Sequence, residues 1–81
     1  MSDLPTVDLE LDCRGRPCPQ PIIELARRVG DVAVGRVVAV VAEDPAARYD
    51  VPAWCRMRGH EAVGHDLAPD GVPRHLVRRL Q

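Results

Sequence analysis

Cys18-Pro19-Gln20-Pro21-Ile22-Ile23-Glu24-Leu25-Ala26 is the stretch on which the fold turns, because it marks where an extended chain becomes a helix. Proline has no backbone N–H and a φ fixed near the helical value, so a helix accepts it in the first turn, where donors have no intrahelical partner. Two alternating prolines followed by an apolar run therefore predict a helix from about Pro19, with Cys18 at its N-cap. There the sulfur would meet the partial positive charge of the macrodipole, and the expectation is a stabilised thiolate. A free thiol of pKa about 8.5 is only about 3% ionised at pH 7, and a helix N-terminus typically moves a nearby acid by less than about one unit. Arg14 and Arg16, just upstream, are expected to add to the effect, with the Gln20 amide as the backbone donor to sulfur.

Working outward, Val7-Asp8-Leu9-Glu10-Leu11-Asp12 alternates apolar and acidic residues with period two, the pattern of a half-buried strand. Residues 1–6 read as a loose lead-in. Ile22, Leu25, Ala26 and Val29 recur at helical spacing and are assigned to the inner face of the first helix. Arg36 to Ala42 is a near-continuous β-branched run, the mark of a central strand. Asp44-Pro45 reads as a turn, and Asp50-Val51-Pro52 as a second helix start capped by Asp50, with Ala53, Trp54 and Met57 inward and Gly59 as its end. His60–Leu67 and Val72–Leu80 read as strands joined at Ala68-Pro69-Asp70-Gly71. The order β-α-β-α-β-β predicts an α/β (α+β) two-layer sandwich, a four-stranded mixed sheet with two helices packed on one face. The 81 residues make one domain with no linker or repeat.

The residues that are missing exclude more than the averages do. All eleven basic residues are arginine, so Schiff-base chemistry and a Walker phosphate loop, which need lysine, are excluded. Serine and threonine occur only as Ser2 and Thr6, which leaves no serine triad. A nucleophile in this chain is therefore cysteine. A formal charge of −1, with one Trp and one Tyr, argues against a nucleic-acid surface. No stretch approaches a membrane span, and Met1-Ser2-Asp3-Leu4 has no secretory character. With an odd count of three cysteines, the expectation is a cytoplasmic protein with free thiols.

Taken together, Leu11-Asp12-Cys13-Arg14-Gly15, Cys18-Pro19-Gln20-Pro21, Asp44-Pro45, Asp50-Val51-Pro52-Ala53-Trp54-Cys55, Gly59-His60-Glu61 and Asp70-Gly71-Val72-Pro73 resemble the TusA/SirA-type family of small sulfur carriers, including its YedF-like members. The resemblance runs along nearly the whole chain. It implies that Cys18, the cysteine of the C-P-x-P motif, carries sulfur as a persulfide; Pro19, Gln20 and Pro21 complete the motif, the nearby Arg14 and Arg16 are read as supporting the sulfur, and no resident cofactor or metal is expected. It also implies a protein donor, such as a cysteine desulfurase or a rhodanese-like protein, and a DsrE/TusD-like acceptor on a route such as tRNA 2-thiolation. Direct binding of nucleic acid or membrane is not expected. Where relatives usually carry Gly-Leu before the motif, this chain has Gly15-Arg16, a more cationic rim. The other class of reading is a non-catalytic redox-sensing or regulatory interaction module.

The remaining chemistry-bearing residues have plainer roles. Cys13 is expected at a strand end, partly buried, with a resolving thiol as the alternative. Cys55 is expected in or just under the core. Cys13, Cys18, Cys55 and His60 lack the paired spacing of a zinc knuckle. His60, His65 and His75 are read as surface or strand residues, and Arg74, Arg78 and Arg79 as a solvated, basic edge.

Overall fold

Val37–Val41, the middle strand β2, is buried at all five positions, because it is covered on both faces and paired on both sides. In the computed structural model, which describes residues 5–81, β1 (Leu9–Asp12) runs parallel to it, and β4 (Pro73–Arg78) pairs antiparallel on its other side. Strand β3 (Glu61–Leu67) pairs antiparallel with β4, giving the spatial order β1-β2-β4-β3. The sheet is mixed, as its strand pattern predicts, and two helices complete the sandwich: α1 (Gln20–Arg28), extended by a 3₁₀ turn at Val29–Asp31, and α2 (Ala47–Arg58). Of the expected loose lead-in, residues 1–4 lie outside the described residues.

The helix-facing core joins Leu11, Cys13, Val38, Val40 and Val77 of the sheet side to Leu25 of α1 and Val51, Trp54 and Cys55 of α2. Ile22 and Val29 pack against it as expected, but Ala26 is exposed and Pro21 is buried in its place. The buried positions of α2 are Ala47, Val51, Trp54 and Cys55, spaced four, three and one apart. Met57, expected inward, is 75% exposed, and Ala53 also faces outward. The inward face follows Ala47, Val51, Trp54 and Cys55, and α2 starts at Ala47 rather than at Asp50. The Asp44 carboxylate begins it, its Oδ1 accepting the Ala46 N–H at 2.9 Å. Pro52 then sits inside the helix, which forgoes one backbone hydrogen bond there.

On the opposite face a smaller cluster, Val37, Ala39 and Leu76, is flanked by Val7 and Val63. Arg74 spans this face, holding Asp66 of β3 through two contacts of 2.7 Å and Glu10 of β1 at 2.8 Å. The expectation of a basic edge is corrected here, because β4 lies inside the sheet, between β2 and β3. Arg78 pairs with Glu61 and the Gly35 carbonyl, and Arg79, just past the strand, with the Val32 carbonyl.

His75 of β4 is buried, and burial lowers its pKa, with the charges of His65 and Arg48 adding to the effect. His60 stacks on Trp54 with ring centroids 5.3 Å apart, and its Nδ1 accepts the Leu80 N–H. These contacts tie the end of α2 and the last residues of the chain together.

Candidate functional site

The end of β1 delivers the chain into a tight loop held by several backbone and side-chain hydrogen bonds. Cys13 N–H donates to the Val41 carbonyl at 2.8 Å, extending the sheet by one residue and burying the Cys13 thiol completely. Arg14 then folds back, donating to both oxygens of Asp70 at 2.8 and 3.0 Å and pairing with Asp12 at 3.0 Å. Gly15 N–H donates to Glu43. The chain passes through a cis Cys18–Pro19 peptide and enters α1 at Gln20.

The helix start corrects two expectations. Pro19, not Cys18, holds the N-cap position, and its carbonyl accepts the N–H groups of Ile22 and Ile23. Gln20 N–H does not serve the sulfur; it donates to the Pro17 carbonyl at 2.9 Å. Pro21 fills the first turn, where its missing N–H leaves no bond unmade. Cys18 stands one residue outside the helix, and it is the exposed cysteine of the three.

Two aspartates that sequence reasoning assigned to a turn and a helix cap converge on Cys18. Asp44, from the β2–α2 loop, accepts the Cys18 backbone N–H at 2.8 Å through Oδ2. The two N–H groups it accepts, from Cys18 and Ala46, hold its own pKa below the usual carboxylate range. Asp50, from α2, accepts the Cys18 S–H at 3.2 Å. The result is opposite to the expected thiolate. The hydrogen bond to Asp50 pushes the Cys18 thiol up, with desolvation and the charges of Asp50 and Asp44 acting in the same direction. Both aspartates reach the sulfur from outside the helix whose end was expected to stabilise a thiolate. Arg14 is spent on Asp12 and Asp70, while the charge of exposed Arg16 is felt at Cys13, where it offsets part of the upward push from burial. The only hint of the aspartates in the sequence was their recurrence within the segments of the resemblance, at Asp44-Pro45 and Asp50-Val51-Pro52.

The crevice at Cys18, closed by Pro21, Ile22, Ala47 and the two aspartates, admits no water-sized sphere. Beside it lies an open apolar shelf of Pro19, Ile22, Ala53 and Met57, with Asp50 on its rim. Cys13 and Cys55 lie in the helix-side core, where burial pushes Cys55 up to about 11. Neither is exposed alongside Cys18. Among the described residues no three His, Cys, Asp or Glu side chains gather as metal ligands would.

Fold and site thus define a small α+β domain that displays a single thiol at a helix mouth. Residues 9–79 match the sequence profile of the family described as Sulfurtransferase TusA, and the chain belongs to that family. It is 39% identical over 74 residues to the sulfur carrier protein TusA of Pseudomonas syringae pv. syringae, covering 91% of this chain and 87% of that one. A putative sulfur carrier protein of Archaeoglobus fulgidus is 33% identical over 69 residues, covering 85% and 90%. A SirA-like protein from Desulfitobacterium hafniense shares the fold with a TM-score of 0.74 over 90% of this chain and 99% of that one, at 18% identity.

Proposed function

We propose that this protein carries sulfane sulfur as a persulfide on Cys18, taking it from one protein and giving it to another. The observation that carries the reading is the contrast among three cysteines: two are buried in the core, and the C-P-x-P cysteine is exposed at the helix mouth. In the loading step Cys18 sulfur attacks the terminal sulfur of a donor persulfide, R–S–SH. The new Cys18 S–S bond forms as the donor S–S bond breaks, and the proton from Cys18 ends on the departing R–SH. Unloading is the same exchange with an acceptor thiol, so neither step changes the net oxidation state. No cofactor is needed for either step, and the tight crevice leaves the small-molecule chemistry that frees sulfur to the donor.

The donor in this reading is a cysteine desulfurase or a rhodanese-like protein, the acceptor a DsrE/TusD-like relay protein serving tRNA 2-thiolation or related sulfur metabolism in the cytoplasm. The shelf of Pro19, Ala53 and Met57 beside the thiol gives a protein partner an apolar footing. Pro19, Gln20 and Pro21 set the helix mouth, Arg14 ties the loop to Asp70, and Arg16 is left free on the rim. The test is incubation with a cysteine desulfurase and isotopically labelled cysteine, followed by mass spectrometry. A gain of one sulfur atom on Cys18 is expected, lost on reduction and absent in Cys18→Ser. Equal labelling of wild type and variant, or none of either, refutes the carrier reading and favours a redox or regulatory module.

A further inference from the structure

We propose that Asp50 holds Cys18 as a neutral thiol in the free protein, so that the unpartnered carrier reacts slowly with small electrophiles and oxidants. The inference rests on Cys18 being the carrier thiol and adds a regulation of that site. Geometry from two separate elements supports it. Asp50 Oδ2 receives the S–H bond itself, and Asp50 is fixed on α2 between Ala47 and Val51, both buried in the core. Asp44, from the preceding loop, fixes the backbone of the same cysteine through its N–H. The backbone of Cys18 is thereby tied to Asp44 while its sulfur lies 3.2 Å from Asp50.

The surrounding charges leave Asp50 unopposed at this thiol. The first turn of α1 has no acidic side chain, and its basic residues, Arg27 and Arg28, lie in the last turn. Arg14, on the incoming loop, is engaged by Asp12 and Asp70, and Glu43 is turned to the Gly15 N–H. Asp44 adds a second negative charge, and Arg16 acts on Cys13. Only the thiolate is a competent nucleophile, so a protonated resting state means a low basal rate. A carrier that meets many small electrophiles but must trade sulfur with particular proteins gains selectivity from this arrangement.

The experiment is the rate of iodoacetamide alkylation of Cys18 against pH, read by mass spectrometry on intact wild-type and Asp50→Asn protein, with urea-unfolded protein as reference. In the folded wild type the midpoint of the profile lies above that of the unfolded chain. Asp50→Asn moves it downward, and its rate at pH 7 rises roughly threefold or more, the scale of losing one exposed charged contact. A wild-type midpoint at or below the unfolded value overturns the proposal without any variant. An unchanged or raised midpoint in a folded Asp50→Asn protein overturns it as well. Because alkylation needs no sulfur donor, failure here is separate from failure of persulfide loading.

Discussion

Replacing Leu25 by alanine tests whether α1, and with it the helix mouth at Cys18, is seated by one side chain. Nine residues are too few for a stable helix in isolation, so α1 depends on what it buries. Its buried residues are Pro21 and Leu25, and Leu25 is 0% exposed in the cluster with Cys13, Val38 and Trp54. Full burial of a leucine contributes about 1.5–3 kcal/mol by transfer alone. The cavity left when the neighbours cannot collapse raises the cost of Leu→Ala to about 3–5 kcal/mol. Against the roughly 4–12 kcal/mol expected of an 81-residue domain at about 0.05–0.15 kcal/mol per residue, that is a large share. The melting temperature should fall by about 12 °C or more, at about 4–8 °C per kcal/mol for a domain of this size. Urea unfolding followed by the fluorescence of buried Trp54, the single tryptophan, reports the change directly. Ile23→Ala, at a neighbouring position 45% exposed, should stay within about 0.5 kcal/mol of wild type. A loss below about 1 kcal/mol for Leu25→Ala, or equal losses for the two variants, would show that α1 is held by something other than this contact.

Two further outcomes are expected. A thiol reagent such as DTNB, left to reach completion, should titrate one accessible cysteine in the native protein and three after unfolding, since Cys13 and Cys55 are buried with their thiols pushed up; native labelling of either would contradict the packing. Stability should also fall with acid in two windows. Burial holds the folded pKa of His75 below its unfolded value of about 6.5, so the unfolded chain gains the proton first and stability drops as pH falls from there. The Arg74 hydrogen bonds hold Asp66 below the unfolded carboxylate value near about 3.9, so its contribution is full above that value and is lost as pH falls through the folded pKa. His75→Leu should weaken the upper slope and leave the lower one. The upper slope does not vanish, because burial also lowers His60. A urea midpoint that is flat from pH 7 to pH 5 in wild type would refute the upper assignment.

Periodicity made most of the fold legible. The β-branched run at Val37–Val41, the alternation before Asp12 and the turn at Ala68–Gly71 each carry their mark within a few consecutive residues, whatever they later pair with, so local pattern was enough. The start of α2 was misread because two Asp-Pro signals compete, Asp44-Pro45 and Asp50-Val51-Pro52, and local chemistry alone does not rank them. Asp44 prevails since its carboxylate reaches both the helix end and the Cys18 backbone, a contact 26 residues away in sequence. Met57 falls off the face that Val51, Trp54 and Cys55 bury, and is exposed.

The amino-acid sequence by itself determined which atom is the candidate nucleophile. With no lysine, with serine and threonine confined to Ser2 and Thr6, and with a proline-marked helix start after Cys18, the nucleophile had one credible identity and place. Which charged groups surround it was decided only by tertiary structure. A helix end is a local feature that a reader of sequence can anticipate. The carboxylate that opposes it sits on another helix, 32 residues on, and reaches the sulfur only when α1 and α2 pack on the same face of the sheet. Charge acts through distance in space, and chain folding alone sets that distance.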